Sequence, residues 1–398
     1  MNTVESAGAR KSGLSLRMLV VLAALALAIA GLFFVHSGLG RVRDPEPVKE
    51  TVLLVSVKSF GAIGDGRTDD RDAILKALRS GHAVFFPRGT YLIGAPIDFG
   101  ALRLREGWAQ PNVVLVGEGA GLSRLLFRGD GTLLVGGRTA PAKGGYEQRL
   151  TIRELSFLGT PLKRPKPVRS FGRFKSLPNE FAGTSSAQGA VYWEFGGASV
   201  IEKSEFTDFD TAVSTELGYG LTVRNSIFKY NGIAILLSKA VTTSVVEQNT
   251  IERNDIGIAM WICSQIRIAN NILQGNYGGA DIVSYNWNSQ ISITENYFEA
   301  SPVAFFHAGD SEGEFISNNF FFERNKGLTV NIGPLANNFS FVGNRIQSFT
   351  SASSAQNILL ENNTDDTKNG LVPFTAFEGA GASTLRIIDD KRGRGAGM

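Results

Sequence analysis

Four side chains in the second half of this chain have the types needed for proton transfer: Asp281, Tyr285, His307 and Asp310. An imidazole works as a base near neutral pH, a phenol can deliver a proton, and a carboxylate beside the imidazole fixes its orientation. His307 is therefore the candidate base, Tyr285 the candidate acid, and Asp281 or Asp310 the candidate orienter. A second chemistry is open to the same segment. Asp281 paired with Asp310 or Glu312 could span the roughly 6.5–9.5 Å that an inverting pair of carboxylates needs. Trp261, Trp287 and Phe306 add flat apolar faces, while Arg253 and Arg267 offer positive charge to a bound carboxylate. These residues lie far apart along the chain, so they form one site only if the fold stacks their segments.

A repeat does stack them. Short amides and hydroxyls recur as Ser204, Ser226, Asn249, Asn271, Asn296, Asn319, Asn344 and Asn363, at spacings of 22, 23, 22, 25, 23, 25 and 19. An apolar residue stands three before each, as in Ile268–Asn271, and another two after all but the last. Strand-length apolar snatches at this period predict a solenoid, each turn of the chain pairing with the turns above and below about 4.8 Å away. The amide column belongs at the corners, where Asn tolerates left-handed backbone and bonds the ladder as it bends. The expected fold is all-β, a parallel β-helix. Aligning the strand before each amide pairs Thr211–Leu217, Gly232–Ser238, Gly257–Cys263, Ala280–Asn286, Pro302–Ala308 and Gly327–Gly333. That alignment puts Tyr285 and His307 at one position on adjacent coils. It puts Trp261 and Phe306 together at the preceding outward position, in line with Ser284 and Asn331.

Upstream, Val55–Phe60 reads as a strand, Gly61–Asp70 as a turn-rich loop and Arg71–Ser80 as a helix with Ile74, Leu75 and Leu78 on one face. Asp65, Asp69 and Asp70 read as turn and N-cap carboxylates where that helix starts. The run from Val57 to Asp70, VKSFGAIGDGRTDD, followed by VFFPRGTYLI from Val84 to Ile93, resembles the opening of the pectate-lyase superfamily. More narrowly, it resembles the rhamnogalacturonase/epimerase-like domains. The resemblance covers about residues 52–365. It implies a right-handed parallel β-helix closed by the N-terminal helix, with a polysaccharide lying on one strand face between loops. The superfamily holds hydrolases, lyases, epimerases, phage tailspikes and non-catalytic binders, so it implies a fold and a ligand class and not one reaction.

Three readings follow. A lyase or epimerase would take the proton next to a uronate carboxylate, with His307 as base, Tyr285 as acid and an arginine or bound Ca²⁺ against the carboxylate. An inverting glycosidase would use the paired carboxylates. A non-catalytic solenoid would bind or guide the polymer, and the bland faces of most coils suit it. The polygalacturonase blocks Asn-Thr-Asp, Asp-Asp, Gly-His-Gly and Arg-Ile-Lys are missing apart from Ile266-Arg267-Ile268. The Asp-Pro-His block of mannuronan epimerases is missing too.

Composition sets the frame. A net charge of +3 gives no general case for nucleic acid, the single Cys263 excludes an intrachain disulfide, and three histidines build no His-rich metal site. Met18–Val35 carries no charge and follows Arg10, Lys11 and Arg17, which reads as a signal anchor or signal peptide. The expected organisation is 1–40 cytoplasmic N-terminus and anchor, 41–51 linker, 52–365 β-helix and 366–398 cap and tail. The β-helix is expected in a bacterial cell envelope, membrane-tethered or secreted. Lys163, Arg164, Lys166, Arg169, Arg173 and Lys175 form a basic, proline-interrupted arm suited to a polyanion. The oligomeric state is left open.

Overall fold

The computed structural model describes residues 54–80, 83–100, 102, 112–136, 148–161, 188–194, 196–285, 287–308, 310–322, 329–332, 335–344, 348–351, 356–363 and 385–388. The apolar segment Met18–Val35, the linker and the basic arm lie outside the described residues. Among the described residues no helix is long and apolar enough to cross a membrane.

Apart from one short 3-10 turn and the helix α1 (Arg71–Leu78), the described elements are strands in one sheet of 25 strands and one of 10. All named pairings are parallel, and each strand pairs with its counterpart one coil away. One coil shows the plan. Thr211–Glu216 pairs with Ile233–Thr242, Thr222–Arg224 with Val245–Glu247, and Ile227–Lys229 with Thr250–Glu252. Three strand columns thus wind into a parallel β-helix.

The corner column explains the amide repeat. Asn271 Oδ1 accepts from the backbone N–H and the Nδ2 of Asn249, both at 3.0 Å, while Asn271 Nδ2 donates to Val246 O and Asn296 Oδ1. The same bonds run on through Asn296, Asn319, Asn344 and Asn363. The residue just before each ladder member turns the chain. Lys203, Asn225, Gln248, Asn270, Glu295 and Asn318 all have left-handed backbone, with φ from 49° to 57°. A second ladder, not anticipated from the sequence, runs Asn231, Asn254, Asn276 and Ser301 at another corner, with 2.9–3.0 Å bonds from each backbone N–H to the next side chain.

Inside, side chains stack on their own kind. Phe157, Phe206 and Phe228 lie ring on ring, with centroids 4.6 and 4.9 Å apart. At the N-terminal end, α1 buries Ala73, Ile74, Leu75, Ala77 and Leu78 against the same core. Asp70 precedes α1, but its carboxylate accepts from Ile63 N and Gly64 N, at 2.6 and 3.0 Å, and leaves the helix N-terminus alone. Asp65 accepts from Arg67 N and Thr68 N, and those bonds, Thr68's first, hold its carboxyl below the usual range. Asp69 accepts from Arg71 N. All three carboxylates organise turns. Cys263 is buried and its thiol donates to Leu237 O; burial pushes it up to about 12.

Candidate functional site

The longest strand column carries the side chains of interest. Its members are β1 (Gln188–Glu194), β2 (Thr211–Glu216), β3 (Ile233–Thr242), β4 (Ile256–Ser264), β5 (Ile282–Tyr285) and β6 (Val303–Ala308). Alternation along each strand sends successive residues to opposite faces. Met260 and Ser284 are partners facing the interior, and both are fully buried. One position further on, the outward row reads Glu194, Glu216, Ser238, Trp261, Tyr285 and Ala308, each the direct partner of the next.

This register corrects the expected one. Tyr285 pairs with Ala308, and His307 pairs with Ser284, so the two candidate proton carriers occupy rows of opposite parity. Trp261 pairs with Tyr285 and not with Ser284, whereas Phe306 does pair with Asn331. The sequence alignment was one residue out between β4 and β5 and one more between β5 and β6, so Trp261 stands in line with Ala308 and not with Phe306, and in a strand a one-residue slip exchanges the two faces. The side chains of His307 and Asp310 lie outside the described residues; Asp310 takes part by backbone in a short strand paired with Leu335.

Asp281 is sealed inside the solenoid, where Oδ1 accepts from Asn276 Nδ2 and Ser301 Oγ, both at 2.6 Å. Its Oδ2 is buried with no hydrogen-bond partner, and desolvation pushes the carboxyl up to about 7. It is therefore placed to orient no imidazole on the outer face. Glu314 is also buried and accepts from Ser284 Oγ at 2.6 Å. Arg267 belongs to a different column and pairs with Glu247 at 2.7 Å. Arg253 sits on an exposed corner, donating to Tyr230 OH at 2.6 Å with its guanidinium 5.8 Å from that ring centre. Trp287, at 67% exposure, stands just past β5. Phe306 is half-buried on the outer face, packed with Tyr285 on an apolar strip that includes Leu236, Ala259 and Val283.

What the structure does gather is a group that sequence reading missed. Tyr192 OH lies 3.3 Å from Glu194 Oε2 and 3.1 Å from Glu216 Oε2. Lys239 Nζ is 2.8 Å from that same Glu216 oxygen, and Ser238 Oγ is 3.5 Å from the other. Glu216 is 3% exposed. Burial first, then the charges of Glu216 and Glu194, push the Tyr192 phenol well above the ordinary tyrosine range, so it keeps its proton. Next along the row, the buried Nε1 of Trp261 has no hydrogen-bond partner among the described residues. The signal was present in the sequence as Glu194 and Glu216, spaced 22 apart like the neighbouring ladder steps, but the alignment began one coil later. Among the described residues, no group of three or more His, Cys, Asp or Glu is placed to hold a metal ion.

The fold is that of a parallel β-helix carrying an outward row of acids, a hydroxyl and aromatics, and comparison narrows its class. The family described as rhamnogalacturonase A/epimerase, pectate lyase-like, matches residues 54–306, and the chain belongs to it. Mannuronan C5-epimerase AlgE3 of Azotobacter vinelandii is 29% identical over 238 residues, which are 57% of this chain but only 12% of that protein. The DFA-IIIase of Arthrobacter chlorophenolicus A6, without its lid, superposes with a TM-score of 0.57 at 12% identity, covering 85% of this chain and 98% of that one. PfbA, a surface adhesin of Streptococcus pneumoniae, gives 0.53 at 15% identity, covering 79% and 91%. At these identities the two superpositions speak to the fold alone.

Proposed function

We propose that this chain acts on polysaccharide, with the glycan lying along the solenoid axis over the outward row from Glu194 to Tyr285. The row carries the reading. Its indole and phenol, Trp261 and Tyr285, are part-exposed direct partners at the coil spacing of about 4.8 Å, while Glu216 and Ser238 of the same row are buried. The C–H face of a sugar ring packs on indole and phenol. Membership of the family and the partial likeness to a mannuronan epimerase support a glycan ligand. A lyase or epimerase step on this face would take its acid and base from the row itself, because the register separates Tyr285 from His307. Met18–Val35 completes the proposal as the segment that delivers the β-helix to the cell envelope.

The test is incubation of the full-length protein with a panel of acidic and neutral polysaccharides. Unsaturated ends mark a lyase, changed sugar configuration without cleavage an epimerase, new reducing ends a hydrolase, and retention without product a binder. Trp261→Ala and Tyr285→Ala should weaken whichever of these is seen. A panel in which no polymer is bound or altered would refute the reading.

A further inference from the structure

The corner that follows the outward row is filled differently from the amide-ladder corner. Its members on four successive coils are Leu217, Lys239, Ile262 and Trp287, all with left-handed backbone at φ from 52° to 54°. Leu217 N donates to Lys239 O, and Cys263 N, just after Ile262, donates to Asn288 Oδ1, just after Trp287. Leu217 directly follows Glu216 and Ile262 directly follows Trp261, so this corner runs as a ridge beside the row. Leu217 is 41% exposed, Ile262 36% and Trp287 67%, while Lys239 folds its ammonium onto Glu216 at 2.8 Å. Left-handed backbone disfavours bulky side chains, a β-branched one above all, and tolerates Asn. At the amide-ladder corner the same conformation is taken by polar residues, Lys203, Asn225, Gln248, Asn270, Glu295 and Asn318. The three apolar side chains of the ridge neither suit the turn nor enter the core. Contact with a ligand is the use left to them.

The chemistry of the ligand follows from these side chains. Sugar hydroxyls laid against Leu217 and Ile262 would leave water and find no hydrogen-bond partner on an aliphatic surface. A methyl group suffers no such loss, and each one removed from water tightens binding about fourfold. We propose that the ridge is the part of the glycan site that selects the polymer, seating methyl groups that stand out from the sugars, carried as acetyl esters or as 6-deoxy carbons. Leu217 and Ile262 lie two coils apart, about 9.6 Å along the axis, so one extended chain can place a methyl group on each. The sugar rings themselves stay on Trp261 and Tyr285, and Trp287 carries the ridge on beside Tyr285. A lipid surface also accepts apolar side chains, but this ridge is one residue wide and follows the row coil by coil, which suits a chain better than a plane.

This inference rests on the glycan reading above and narrows its substrate. The experiment measures retention of full-length protein in affinity gels made in matched pairs. Acetylated xylan and acetylated glucomannan are each set beside the same polymer after alkaline deacetylation, and a 6-deoxyhexose polymer beside its hexose counterpart. Expected is a preference of about fifteenfold for the methyl-bearing member of a pair, from two methyl groups seated together. Leu217→Asn and Ile262→Asn put a residue suited to the corner in place of one that is not. Each should melt no lower than wild type, lose about fourfold of the preference and still hold the bare polymer. Equal retention of both members of every pair overturns the ridge while leaving the glycan reading intact. A lower melting temperature in both variants also overturns it, because the side chains would then serve the fold. Weaker association of both variants with phosphatidylcholine vesicles overturns it in favour of a lipid surface. Absence of any binding or product across all polymers overturns both readings.

Discussion

Replacing Asp281 with asparagine should stabilise the protein at neutral pH and remove a pH dependence. The carboxyl is fully buried, two donors serve Oδ1, and Oδ2 has no partner. Desolvation raises it from 3.8 in the unfolded chain to about 7. Because the folded value is the higher one, the folded state prefers the protonated form. Its contribution is fully present below pH 3.8, is lost as pH rises through the window to about 7, and stays lost above it. Three units at about 1.36 kcal/mol each give a swing of about 4 kcal/mol between pH 4 and pH 8. An amide at this position does not titrate, but places an NH₂ where Oδ2 stood, costing about 1–3 kcal/mol for donors without acceptors. Asp281→Asn should therefore be the less stable protein at pH 4 and the more stable one at pH 8. Denaturant midpoints of both proteins at half-unit steps between those limits measure the difference. A wild-type-minus-variant difference that stays constant across the range would refute the reasoning, since the buried carboxyl would then titrate as it does in the unfolded chain.

Asn271→Ala removes a ladder step and strands the buried N–H and Nδ2 of Asn249. It should lower stability by about 3 kcal/mol, measured by denaturant unfolding, and Asn363→Ala should cost less because one neighbour fewer depends on it. Trp261→Ala should weaken retention of the bound polysaccharide about tenfold in affinity electrophoresis, equivalent to about 1.4 kcal/mol, while leaving the thermal melt little changed. Cys263, buried and pushed up to about 12, should stay unreactive towards a disulfide reagent at pH 8 in the native protein and react completely once unfolded.

The fold was legible because its repeat is chemical as well as spatial. Every amide or hydroxyl from Ser204 to Asn363 that the spacing picked out does bond its counterpart in the next coil. Corner residues are anchored by side-chain bonds, so they keep register through coils of unequal length. Strand positions between corners have no such marker. β3 pairs with β4 through a register shift between Ser238 and Val241, beside Lys239 and Ala240 with left-handed backbone, and counting along the sequence cannot see it. The same uncertainty displaced Tyr285 against His307. Asp281 misled for another reason: a carboxylate in an apolar strand suggests a functional surface, but the second ladder ending at Ser301 supplies donors that let it sit inside. Glu194 and Glu216 look ordinary in sequence, because what distinguishes them is a tyrosine two residues before one of them and a lysine a coil further on.

Among the described residues each coil pairs with its two neighbours, and this has a consequence for how such a chain can change length. Duplicating one whole turn between matching corner amides would extend the strand columns by a single rung and leave the hydrogen bonds around Tyr192 untouched. Length and the local grouping of side chains are thereby separable traits, one set by how many rungs are stacked and the other by two of them.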